Sequence, residues 1–150
     1  GFQHTLLEYA RNVMGLADAD SAEHGVPTSN LLITAVVCPM PDRSGAPSLH
    51  AAAGIHLRRG TRAWEIYGRE EISERYFCNY EVNPAYRDAL ETTGLVLSGF
   101  SDNGDIRVVE LPAHPFFIAT LFQPQLSSEA GRPHPLISAF VAASAARVRG

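Results

Sequence analysis

The run Phe116 to Phe122, set between Pro115 and Pro124, constrains the fold more than any other stretch. It has the length of a strand and is rich in aromatic and branched residues. Pro115 fixes its start, and Pro124 forbids its continuation. A strand buried on both faces belongs to a parallel α/β sheet. In such sheets ligands sit just beyond the carboxyl ends of the strands. Gln123 and Gln125, either side of Pro124, occupy that place and are the first candidate site residues.

A chain of 150 residues allows one domain with a real core. A net charge of −4 and the absence of any Lys/Arg-rich block give no electrostatic reason to expect nucleic acid or an anionic membrane as partner. No apolar run approaches the ~20 residues that cross a bilayer. No signal peptide is expected, because Gly1 leads straight into helix-like sequence. Two cysteines, Cys38 and Cys78, make no disulfide framework, and reduced thiols in a cytoplasmic protein are the expectation. Cys38 reads as a small buried hydrophobe. His50 and His56 lack partners at metal spacing, so structural or surface roles are expected for them. Neither a metal nor a cofactor is implied.

Gly1 to Gly15 reads as an amphipathic helix, with Phe2, Leu6, Ala10, Val13 and Met14 on one face and Gly15 as its stop. Ala17 to Asn30 reads as a loop, Leu31 to Cys38 as a strand, Pro39 to Ser48 as a surface loop, and Leu49 to Leu57 as a strand. Gly60 to Gly68 reads as a short helix capped by Thr61. Glu74 to Val82 reads as one strand. Pro84 to Thr93 reads as a helix capped by Asn83 and closed by Gly94. Two strands, Leu95 to Ser101 and Ile106 to Leu111, flank the hairpin signal Asn103-Gly104. The last helix follows Pro135, with Leu136, Ile137, Phe140, Val141 and Ala145 expected to face the core.

Several of these words resemble the glutaminase domain of CTP synthase, a class I (triad-type) glutamine amidotransferase. Gly1-Phe2-Gln3 resembles the Gly-Met-Gln after the nucleophile of the Cys-Leu-Gly-Met-Gln elbow. Leu7-Glu8-Tyr9-Ala10-Arg11-Asn12-Val13 resembles Ile-Glu-Phe-Ala-Arg-Asn-Val of the same helix. Ser21-Ala22-Glu23 resembles Ser-Thr-Glu, and Glu74-Arg75 with Tyr80-Glu81-Val82-Asn83 resembles the ends of Glu-Arg-His-Arg-His-Arg-Tyr-Glu-Val-Asn. Phe122-Gln123-Pro124-Gln125 resembles Phe-His-Pro-Glu. Phe-Gln-Pro is also similar to a CTP synthase C-terminal region-related group that includes selenoproteins.

The resemblance implies a three-layer αβα, mostly parallel, flavodoxin-like class I glutamine amidotransferase fold. It also implies that residues 1–150 are the C-terminal part of a single amidotransferase-like domain whose first βα units lie outside the chain. The nucleophile would stand two residues before Gly1. Gly1, Phe2, Gln3, Glu23 and Asn79 would be ligand-binding positions, with Glu23 holding a substrate ammonium. Asn79 stands where the family has an Arg that clamps a carboxylate. Gln123 and Gln125 stand in place of the catalytic His and Glu. A carboxamide neither takes a proton at neutral pH nor supports an imidazolium by charge, so the triad mechanism is not expected to run.

Three readings follow. The first is a catalytically degenerate domain that keeps a small-molecule pocket, for glutamine or a related amino acid, in a binding or regulatory role. The second is an enzyme with altered thiol or selenol chemistry, in which Cys78 pairs with an upstream nucleophile. The third is a residual glutaminase whose histidine is His4 or His114. Homo-oligomeric assembly is left open.

Overall fold

Phe2, Leu6, Leu7 and Ala10 recur at three- and four-residue spacing, and Phe2–Asn12 forms helix α1 with these four side chains buried. The structure, a computed structural model, describes residues 1–36, 40–41, 47–48 and 51–148. Cys38 and His50 lie outside the described residues. After α1 come β1 (Asp20–Ser21), a 3₁₀ turn (Ala22–His24), β2 (Leu31–Ala35), β3 (Met40–Pro41), β4 (Pro47–Ser48) and β5 (Ala52–Leu57). Then follow α2 (Arg62–Tyr67), β6 (Glu71–Arg75), β7 (Tyr80–Val82), a 3₁₀ turn (Pro84–Tyr86) and α3 (Arg87–Thr92). The chain ends through β8 (Val96–Phe100), β9 (Ile106–Glu110), β10 (Ile118–Thr120), a 3₁₀ turn (Pro124–Ser127) and α4 (Pro135–Val148).

Local signals set most boundaries. The Thr61 hydroxyl accepts the Trp64 N–H at the start of α2, and Gly68 closes that helix at φ 66°. A side chain is strained in that left-handed region, which is why glycine ends the helix. Asn83 caps the turn before α3 through the Ala85 N–H. Gly104, at φ 86°, makes the turn between β8 and β9. Helix α1 stops at Asn12, earlier than expected, so Val13 is exposed and Met14 half-buried beyond its end.

Five strands pair in the order β10-β9-β8-β5-β6, and three in the order β1-β2-β7. The α/β class holds, but the direction of pairing differs from the expectation. Among the described residues only β1 and β2 pair in parallel; the other pairings are antiparallel. The physical reason lies in the connections. Short loops such as Asp102–Asp105 reverse the chain at once, and a reversed chain can only pair antiparallel.

Three further expectations are corrected. Phe116 to Phe122 is not one doubly buried strand. Only Ile118–Thr120 pairs, at the edge of the five-stranded sheet, and its three residues are half-buried. Leu121 and Phe122 are buried beyond it. Glu74 to Val82 is not one strand either: Tyr76 to Asn79 carry the chain from the five-stranded sheet to the three-stranded one. In α4 only Leu136 is buried; Phe140 and Val141 stand 55% and 58% exposed, and Ile137 and Ala145 are half-buried. The loop Ala17 to Asn30 also contains the short β1 and its 3₁₀ turn. One continuous apolar core joins α1 to both sheets, from Leu6, Leu32 and Ile33 through Ile55, Leu97 and Val108 to Phe122.

Candidate functional site

Four segments meet at the start of α1 and enclose a cavity of about 730 Å³. The first is the helix mouth, Gly1, Phe2, Gln3 and His4. The second is Glu23. The third is the crossing Phe77 to Tyr80, and the fourth the exit Thr120 to Gln125. Of the candidates named from the sequence, Gly1, Phe2, Gln3, Glu23, Asn79, Cys78, Gln123 and Gln125 lie on this wall.

Each segment is held by backbone chemistry. The Gln3 amide nitrogen donates to the Tyr80 carbonyl at 3.2 Å, which ties the helix mouth to β7. Asn79 is anchored through its carbonyl, which accepts the Val36 N–H at 3.0 Å. Gln123 donates its N–H to the Arg75 carbonyl at 3.0 Å. Pro124 has no N–H and starts the 3₁₀ turn that carries Gln125. Glu23 is presented by the turn that Ser21 caps, its N–H donating to the Ser21 hydroxyl at 3.2 Å. Asp20 holds that turn from below. Its carboxylate meets His24 Nδ1 at 2.5 Å and the Ser21 N–H at 2.7 Å, and these bonds hold its carboxyl below the usual range.

The electrostatics are sparse. Among the described residues Glu23 is the single Asp or Glu on the wall, and no Lys or Arg lies there. Cys78 is half-buried, and its thiol points at the Leu121 carbonyl at 3.6 Å. Burial pushes that thiol up, against the opposite pull of Arg107. A thiol so placed is mostly protonated at neutral pH, and the thiolate is the reactive form. Arg107 itself is buried and committed to Glu81 at 2.7 Å and Asp105 at 3.0 Å.

Sequence reading underrated His4, Phe77, Tyr80, Thr120 and Phe122, all of which line the cavity. His4 enters the sequence reading only as a replacement base, yet its place one residue after Gln3 in the first helical turn signals that it faces the same cavity. His114 is elsewhere: it is exposed, and its Nδ1 accepts the Phe116 N–H. His56 is exposed and meets Asp102 at 2.8 Å. Among the described residues no cluster of His, Cys, Asp and Glu could hold a metal ion. A buried polar cluster stands behind the wall. His134 Nε2 lies 2.8 Å from Glu74, and the Tyr67 hydroxyl donates to the same carboxylate oxygen at 2.7 Å. The His134 ring is 6.2 Å from that of Phe122.

The α/β frame, with its helix mouth facing the exit of β10, is that of the flavodoxin-like glutamine amidotransferases. It is similar to the Trypanosoma brucei CTPS glutaminase domain with bound acivicin, at TM-score 0.87 and 30% identity, covering 97% of this chain and 57% of that one. The CTP synthase of Nitratidesulfovibrio vulgaris is 40% identical over 163 residues, covering 100% of this chain and 30% of that protein. The CTP synthase of Saccharolobus solfataricus is 39% identical over 146 residues, covering 97% and 27%. No family model matches the chain. The chain is a CTP synthase-like glutamine amidotransferase domain, and it spans about 30% or less of the length of these relatives. Among the described residues no helix is long and apolar enough to cross a membrane.

Proposed function

We propose that this domain keeps the amidotransferase frame and its ligand pocket but does not run the triad reaction, and that it binds a small molecule in a regulatory role. Residues 1–150 are read as the C-terminal part of one such domain, with a cytoplasmic setting beside pyrimidine nucleotide synthesis. The observation that carries the reading is the pair of carboxamides, Gln123 and Gln125, in the same cavity as the helix mouth. An amide there has no proton to exchange near neutrality and no charge to stabilise an imidazolium. Loss of a catalytic base costs many orders of magnitude in rate.

A second reading has one observation in its favour. Cys78 and His4 share the wall, so thiol chemistry with an upstream nucleophile, or residual glutamine hydrolysis, would have groups within the same cavity. The raised thiol weighs against it. The deciding measurement is ammonia release from glutamine by the full chain. No release above the uncatalysed background is expected. A rate that exceeds background and disappears in Cys78→Ala or His4→Ala overturns the degenerate reading.

A further inference from the structure

The charges around the cavity select the kind of molecule that enters it. A free carboxylate is best held by a guanidinium fork, which offers two parallel charge-assisted bonds. Among the described residues no arginine or lysine lines this cavity. Two arginines of the surrounding fold are committed elsewhere, and Arg75, whose carbonyl accepts the Gln123 N–H, is exposed and does not line the cavity. Arg107 is held by Glu81 and Asp105, and Arg11 donates to the Ala19 carbonyl and lies near Glu8 and Asp20. What the wall offers instead is one carboxylate, Glu23, and the neutral carboxamides of Gln3, Asn79, Gln123 and Gln125. The first turn of α1 adds backbone N–H groups with no partner inside the helix, which suit a carbonyl oxygen as well as an anion.

Resting on the reading of this cavity as a small-molecule site, we propose that its ligand is a primary ammonium compound with a neutral, hydrogen-bonding body, such as an amino-acid amide, in preference to an amino acid with a free α-carboxylate. Glu23 pairs with the ammonium. Asn79, which both donates and accepts, meets a neutral carboxamide where a carboxylate would find no guanidinium. The helix mouth takes the carbonyl oxygen.

The test is calorimetric titration of the full chain with three probes: L-glutamine, L-glutaminamide and N-acetyl-L-glutaminamide. L-Glutaminamide is expected to bind about tenfold more tightly than L-glutamine, a difference of ~1.4 kcal/mol. The acetylated probe, which has no ammonium, is expected to bind as weakly as L-glutamine or more weakly. Glu23→Gln should erase the advantage of L-glutaminamide over the acetylated probe, and Asn79→Arg should turn the preference toward L-glutamine. Glu23 and Asn79 are both exposed, so these variants keep the fold. L-Glutamine binding as tightly as L-glutaminamide, or more tightly, overturns this proposal and leaves the small-molecule site standing. No binding by any of the three probes overturns both.

Discussion

The side-chain nitrogen of Gln3 donates to the backbone carbonyl of Tyr80 across 3.2 Å and 77 positions of sequence. This bond joins the helix mouth to the strand that follows Asn79 and so ties two walls of the cavity to each other. Gln3→Ala removes it and is expected to cost about 1 kcal/mol of stability, the net worth of one such bond. Urea unfolding should show a lower midpoint with an unchanged slope. Binding of L-glutaminamide should weaken in the same variant. A variant as stable as the parent would mean that the bond does not hold the walls.

Glu74 and His134 form the buried polar centre of the domain, 4% and 2% exposed. The Leu136 N–H donates to His134 Nδ1 at 3.2 Å, so the hydrogen facing Glu74 is carried on Nε2. Glu74→Ala leaves His134 and the Tyr67 hydroxyl without their acceptor in the core. The expected loss is about 3 kcal/mol, with Tyr67→Phe costing ~1 kcal/mol. Thermal unfolding of both variants checks the order. Because His134 packs beside Phe122, Glu74→Ala should also loosen the cavity wall.

Cys78 should react slowly. Burial raises its thiol, so the folded chain holds that proton more tightly than the unfolded chain does. The stability this contributes is complete below the unfolded pKa and is lost as pH rises through the folded one. At about pH 8, close to the ordinary thiol value, iodoacetamide should therefore label Cys78 more slowly in the native chain than in urea. The gap should close as pH rises. Peptide mass spectrometry reads Cys78 separately from Cys38. Equal native and unfolded rates would show that the thiol is not held up.

A side chain at Gly99 would collide with its neighbours in the five-stranded sheet. A Cβ there would stand 2.7 Å from Val108 Cγ2 and 3.2 Å from Ile55 Cγ2. Gly99→Ala should cost about 1–3 kcal/mol through overpacking. Val108→Ala in the same chain should return part of that loss, because it removes the nearest atom. Chemical denaturation of the single and double variants measures the coupling.

Much of this architecture was legible in the residues. Thr61 and Gly68 bracket α2, Asn83 and Pro84 open the turn before α3, and Asn103-Gly104 turns β8 into β9; each acts through its own backbone and needs no distant partner. The cavity residues were legible through resemblance, since Gln3, Glu23, Asn79, Gln123 and Gln125 keep their places in a familiar order. What failed were inferences from apolarity alone. The run Phe116 to Phe122 looks like an interior strand, yet it pairs on one side only. Phe140 and Val141 look like core residues, yet they remain exposed, because apolar residues on every side of a helix do not say which face meets a neighbour.

Sequence by itself determined the local stops and starts and the chemistry of the residues set around Pro124. Caps, turns and missing N–H groups act over a few bonds, so a short window of chain contains their cause. Tertiary structure alone decided that Glu74 to Val82 breaks between two sheets, that the strands mostly oppose one another, and that Cys78 is pushed up by burial. Those outcomes depend on which surfaces meet across the fold, and packing between residues dozens of positions apart is not written in any one stretch.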